Sequence, residues 1–216
     1  REVRVRIAQR ASDGAVRLIG YGGAPSRGGV QDGVVQNRHT AVQAFRTALE
    51  AAHKSAGVRV STIFCGISTR DALSIIREGK VSLTSGITEL EHLDEARHHA
   101  EQVALNAGMR NLSSVTSQEW YVDNHRVEDP LGIRGSVLQA RMHFAQVPGM
   151  VIDNLRAIIE SQDCIVEDMV YTPIATALGC LTPEDMKLGV AVLDFGQSST
   201  GIAVYHDRSI LGTKTF

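Results

Sequence analysis

The chain has 216 residues, 43% of them hydrophobic and 21% charged, with a formal net charge of −2. That length fits one large domain or two small ones around a packed core. No basic excess points to nucleic acid, and no apolar run approaches the roughly 18 residues that cross a bilayer.

The first elements read as hairpin, helix, strand. Val3 to Ile7 alternates with Arg4 and Arg6, the pattern of a half-buried strand rather than a basic patch. Asp13–Gly14 is a hairpin turn signal, and Val16 to Ile19 returns. A glycine-rich stretch, GYGGAPSRGGVQDG, is expected to loop from Gly20 to Gly33. Asn37 then caps a helix that runs to about Ala56, with Val42, Phe45, Leu49 and Ala52 on one face and Gly57 as its stop. Val58 to Ile67 is β-branched and apolar, a strand.

The middle of the chain has a different character. Asp71 to Val81 reads as irregular. Thr88 or Glu89 opens a helix carrying Leu90, Leu93, Ala96, Ala100, Val103 and Leu105. Ser114 to Asp123 is strand-like, with Val115, Trp120 and Val122 apolar. Asp129-Pro130-Leu131-Gly132 is a turn. Ser136 to Val147 alternates in part, and Val151 to Glu160 is a short amphipathic helix. The last part returns to α/β: a strand from Ile165 to Tyr171, a helix with Pro173 in its first turn and running to Leu181, and a strand meander from Gly189 to Phe216. Arg1 and Phe216 both abut strand patterns, so a fragment of a longer protein is expected.

The chemistry concentrates in AVLDFGQSSTGIAVYHD, Ala191 to Asp207. A strand-like run delivers Asp194 to a small polar turn of Gly196, Gln197, Ser198, Ser199, Thr200 and Gly201. Small residues let backbone N–H groups approach an anion, and hydroxyls add donors. A carboxylate beside such a turn suits phosphate only across a cation or a water, which suggests a Mg-nucleotide site. The same pattern is also that of an ordinary hairpin connector, and the residues alone leave both readings open.

Other candidates are weaker. Glu95 and His98, with His92 and His99 nearby, have metal-ligand spacing on a helix. No second such motif accompanies them, so a solvated charged face is expected. Cys65 and His53 form no oriented dyad. Cys65, Cys164 and Cys180 are sparse and far apart, as for reduced structural thiols. No Gly-Lys-Ser or Gly-Lys-Thr marks a Walker loop.

Several blocks, taken in order, resemble one family. Gly20 to Gly33 is similar to the GxGxxPSRG segment of the FtsA family, bacterial actin-like cell-division proteins. Val58 to Ser68, then Gln118 to Asp123 (QEWYVD, similar to PQEYxxD), then Asp129 to Gly135 (DPLGIRG, similar to NPxGLxG) and Gln139 to His143 follow in the family's order. Leu193 to Tyr205, LDFGQSSTGIAVY, resembles the second phosphate loop, DIGGGTTDIAVY.

The resemblance implies an α/β, actin-like (ribonuclease H-like) ATPase lobe carrying an inserted small α+β subdomain. Residues 1–68 with 164–187 would form the actin-like subdomain of the first lobe. Residues 69–163 would be the inserted interaction subdomain, and 188–216 the opening strands of the second lobe. Asp194, Gly196, Gln197, Ser198, Ser199 and Thr200 would meet the phosphates of ATP, with Asp194 holding Mg2+ through water. Gln197 and Ser198 stand where the family has glycines, and Gly201 where it has an aspartate, which weakens any hydrolysis. A binding role is favoured over turnover. The implied partners are FtsZ, further copies of the protein, late division proteins at the inserted subdomain, and the inner face of the cell membrane, but no nucleic acid. The family's first phosphate loop would lie just before Arg1. Its adenosine segment, FtsZ-tail site and amphipathic membrane helix would lie after Phe216. The alternative is a protein-interaction module that binds no nucleotide.

Overall fold

The computed structural model describes residues 2–102, 106–112 and 118–216. It opens with a hairpin, β1 (Glu2–Arg10) antiparallel to β2 (Val16–Pro25), with Gly14 left-handed at the turn. The glycine-rich stretch is therefore strand, not loop, as far as Pro25. A second small hairpin, β3 (Val30–Gln31) and β4 (Val34–Val35), precedes helix α1 (Arg38–Ala56). The helix starts where Asn37 Oδ1 accepts the Thr40 N–H at 3.1 Å and ends at left-handed Gly57. Gly22 is a packing requirement: a Cβ there would sit 2.0 Å from the Ala48 carbonyl oxygen of α1.

Strand β5 (Thr62–Ile67) begins later than its apolar run suggests. The nitrogen Nε2 of His53 lies 3.2 Å from the Val60 N–H and 3.1 Å from its carbonyl oxygen, which holds this residue off any ladder. The residues expected to be irregular form β6 (Leu73–Ser82). Their pattern looks irregular because Gly79 replaces an apolar side chain on the buried face: a Cβ there would lie 1.9 Å from the Ala96 carbonyl oxygen of α2 (Leu90–Gln102). On α2, Leu93, Ala96 and Ala100 are buried, whereas Leu90 is exposed; Val103 and Leu105 lie outside the described residues.

Next come β7 (Met109–Leu112), β8 (Gln118–Val122), β9 (His125–Val127) and the long β10 (Val137–Pro148). Ser114 and Val115 lie outside the described residues. The expected turn is present, with the Ile133 N–H donating to the Pro130 carbonyl and Gly132 left-handed. Strand β10 is central: it pairs antiparallel with β6, β7 and β8, while β9 extends the sheet beyond β8. Its two halves serve different cores. Leu138, Ala140, Met142 and Phe144 pack with α2, Trp120 and Val122. Ala145 and Val147 pack with Phe45, Leu49 and the residues that follow.

Helix α3 (Gly149–Glu160) leads to β11 (Ile165–Tyr171), which runs parallel to β5. Helix α4 (Thr172–Cys180) follows at once. A further helix, α5 (Pro183–Leu188), starts at a capping box in which Thr182 and Asp185 exchange hydrogen bonds, a signal the sequence carries in Thr-Pro-Glu-Asp. The chain closes with an antiparallel sheet of β12 (Val190–Phe195), β13 (Thr200–His206) and β14 (Ser209–Thr215). Ala203, Tyr205 and Ile210 join it to the core of α1 and α3. Elsewhere the edges of β1 and β5 face a cavity of about 590 Å³, floored by Phe45, Leu49, Ile158 and Ile159. No helix among the described residues is long and apolar enough to cross a membrane.

Candidate functional site

Strand β12 alternates. Val190, Val192 and Asp194 are half-buried, while Leu193 and Phe195 face solvent, 52% and 78% exposed. Asp194 thus leaves the strand on its inner side, beside α4. There the Thr176 hydroxyl donates to Asp194 Oδ2 at 3.2 Å.

The bend after it is tight. The Gly196 N–H donates to the Ser199 carbonyl at 2.9 Å, and a Cβ on Gly196 would crowd that same oxygen. Thr200 resumes the strand, its N–H bonded to the Phe216 carbonyl. Gly196 and Gln197 are exposed, and Ser198, Ser199 and Thr200 are partly exposed. Among the described residues, the N–H groups of Gln197, Ser198 and Ser199 make no hydrogen bond. Three N–H donors and three hydroxyls without a protein partner among the described residues are therefore gathered at one small turn.

Arg70 is part of this place, and sequence reasoning missed it. Its guanidinium donates to the Ser198 carbonyl at 2.8 Å from 128 positions away. It brings a positive charge to the bend. Nothing local in Thr69-Arg70-Asp71 announces this; it follows from how the β12–β14 sheet docks on the start of β6.

Gly201 sits opposite Asp194 in the ladder and is buried. A Cβ there would meet Pro173 Cγ at 3.0 Å and Asp194 Cβ at 3.7 Å. Asp194 is thus a lone acid. Among the described residues no group of three or more His, Cys, Asp or Glu side chains converges as a metal site. One carboxylate with free N–H donors fits Mg2+ held through water and phosphate oxygens, not a cage made by the protein.

The weaker candidates are engaged locally. On α2, the nitrogen Nδ1 of His92 accepts the Glu89 N–H, and His99 lies 2.8 Å from the Lys80 carbonyl and 3.8 Å from Glu95. His53 holds Val60 rather than Cys65. All three cysteines are free.

Comparison with known proteins places the chain. The family model described as the SHS2 domain inserted in FTSA matches residues 72–145. The cell division protein FtsA of Pseudomonas aeruginosa is 28% identical over 208 residues, covering 96% of this chain and 49% of that protein. FtsA of Escherichia coli K12 is 26% identical over 214 residues, covering 99% of this chain and 50% of that protein. A solved structure of a PilM–PilN type IV pilus biogenesis complex aligns over all of this chain and 58% of its own, with a TM-score of 0.63 at 16% identity, a likeness of fold alone. The chain spans about half the length of the curated relatives it matches. The chain is mixed α/β, matches the SHS2 domain inserted in FtsA over its middle third, and is similar to FtsA proteins almost from end to end.

Proposed function

We propose that this chain is the N-terminal part of an actin-like cell-division protein that binds ATP with Mg2+ between two lobes. The Gly196–Ser199 bend would hold phosphate. The observation that carries the reading is that bend: partly to fully exposed, with three N–H donors that bond nothing among the described residues, and flanked by Asp194 and by the Arg70 guanidinium. Backbone donors in a tight turn are an anion site wherever the chain presents them outward. Gln197, Ser198, Ser199 and Thr200 would cradle the phosphates. Asp194, steadied by Thr176, would orient the water shell of the cation.

The chain's own residues bind and orient rather than cleave. Gly201 supplies no second carboxylate beside Asp194 to position a water. Nucleotide occupancy would then bias self-association and the link between FtsZ filaments and the inner face of the membrane. The FtsZ site and the membrane helix would lie in other parts of the protein. The SHS2 domain would meet neighbouring copies and late division proteins. The cavity between β1 and β5 has two strand edges on either side of an apolar floor, and one strand from elsewhere in the polypeptide would bridge them and carry the first phosphate loop.

A titration of the full-length protein with MgATP tests the reading. Binding should weaken at least tenfold in Asp194→Ala and more in Gly196→Val. Unchanged affinity in both would refute it. The second reading, an interaction module without nucleotide, is favoured by Gln197 and Gly201 in place of the family's glycine and aspartate; absence of MgATP binding by wild type would select it.

A further inference from the structure

The two ends of the β12–β14 sheet have different neighbours. The bend at Gly196–Ser199 is one end. The β13–β14 turn, Asp207–Arg208, is the other, and it is held by the SHS2 domain. From β9, Arg126 donates through Nη1 to the Asp207 carboxylate and through Nη2 to the Asp207 carbonyl at 2.8 Å. The same Nη2 reaches Ser209 Oγ at 3.4 Å. Behind Arg126 lies Glu119 of β8, whose side chain is only 8% exposed. It accepts from Arg141 at 2.7 Å and from the Tyr121 hydroxyl at 3.1 Å. Burial pushes the Glu119 carboxyl up, but the hydrogen bonds from Arg141, Ser209 and Tyr121 outweigh it and hold the group below its ordinary value. The hub therefore stays ionised and keeps Arg126 aimed at the turn.

Two more tethers cross the same seam. The Thr213 N–H of β14 donates to Ser74 Oγ of β6 at 3.0 Å, and Ser74 lies 2.8 Å from His143 Nε2 of β10. At the bend itself, Arg70 holds Ser198 just ahead of β6. The SHS2 domain thus touches the sheet at the β13–β14 turn and in the middle, and Arg70, two residues ahead of the domain, touches the bend. Its covalent connections run to β5 and α3, not to this sheet.

We propose that the SHS2 domain is yoked to the phosphate-bearing sheet through Arg126 and Glu119, so that occupancy of the bend is reported at the β8–β9 edge. This rests on the nucleotide reading above, but the yoke itself does not need a ligand. A three-stranded antiparallel sheet moves as a unit more readily than it shears, because shear breaks its ladder. A displacement at one end therefore reaches the other. Residues 118–127 are where the other end meets a side chain.

Hydrogen exchange on the full-length protein separates the two ideas. Without nucleotide, Asp207→Ala should raise exchange across residues 118–127 about tenfold, although that segment is 80 positions away. Arg126→Ala should raise it by a similar factor, and the double variant Arg126→Ala with Asp207→Ala should add nothing further. If Asp207→Ala loosens only its own turn, or if the two effects simply multiply in the double variant, the yoke is wrong. With MgATP, wild type should slow both at 194–200 and at 118–127, and Arg126→Ala should lose only the second response. A response at 118–127 that survives Arg126→Ala overturns the reporting role. Absence of any response at 194–200 in wild type overturns the nucleotide reading and leaves the yoke to be judged by the nucleotide-free exchange.

Discussion

Gly201 and Pro173 occupy adjoining space with nothing to spare: a Cβ on the glycine would come within 3.0 Å of the proline ring. The same Cβ would stand 3.7 Å from that of Asp194, its ladder partner. An aspartate at 201 would add a steric conflict and a like charge directly across from Asp194. We expect Gly201→Asp to lose about 1–3 kcal/mol of stability in urea unfolding. Adding Pro173→Ala should recover the steric share, and adding Asp194→Asn the charge share. Full stability in Gly201→Asp alone would show that β13 has room at this position that the structure denies it.

Two other glycines repeat one packing device on two helices. Gly22 of β2 lies against Ala48 and Ala52 of α1, and Gly79 of β6 against Ala96 and Ala100 of α2. In each, the atom in the way is a helix carbonyl, which cannot rotate aside. Gly22→Ala and Gly79→Ala should therefore each cost about 1–3 kcal/mol by forcing helix from strand. At roughly 2–4 °C per kcal/mol for a domain of this size, the melting temperature should fall by several degrees. Calorimetry that finds either variant as stable as wild type would contradict the close contact.

These glycines also show why part of the fold was legible and part was not. Helix α1 carries Asn37 at one end, Gly57 at the other and a full apolar stripe between, so every local signal agrees. Strand β6 carries Gly79 where an apolar residue should alternate, and its partner β10 is more than fifty residues on; its pairing is a tertiary fact. The site divides in the same way. Asp194 and the bend are local and can be read from LDFGQSST. Arg70 and Thr176, which fix the Ser198 carbonyl and the Asp194 carboxylate, come from other elements and follow no periodicity.

His143 should make stability depend on pH. It is buried where β6, β10 and β14 meet, with Ser74 and Thr213 as neutral neighbours of Nε2 and no partner for Nδ1 among the described residues. Glu119 and Arg141 line the same small cavity. Burial pushes the imidazole down to about 4. Its ordinary value is 6.5, so between these pH values the unfolded chain takes up a proton that the folded one refuses. Stability from this group is complete above about pH 6.5 and falls as pH drops toward 4. Between pH 7 and 4.5 the loss should be about 2–3 kcal/mol beyond that of His143→Gln, measured by urea unfolding of both proteins. Parallel pH profiles for the two would rule the effect out.

The cysteines should react in an order set by burial. Cys180 is exposed at the end of α4, whereas Cys164 is buried and Cys65 partly so. Burial pushes the Cys65 thiol up to about 11, and burial with the nearby Asp163 charge raises that of Cys164. Only the thiolate attacks an alkylating reagent, so at pH 8 about one Cys65 in a thousand is competent. Iodoacetamide should therefore modify Cys180 first, by a factor of a hundred or more, with Cys65 and Cys164 following only once urea unfolds the chain. Peptide mass spectrometry over a time course reads the order directly. Early labelling of Cys65 would mean that β5 opens at the edge facing the 590 Å³ cavity, and comparing the 216-residue chain with the full-length protein would show whether a strand from elsewhere in the polypeptide closes it.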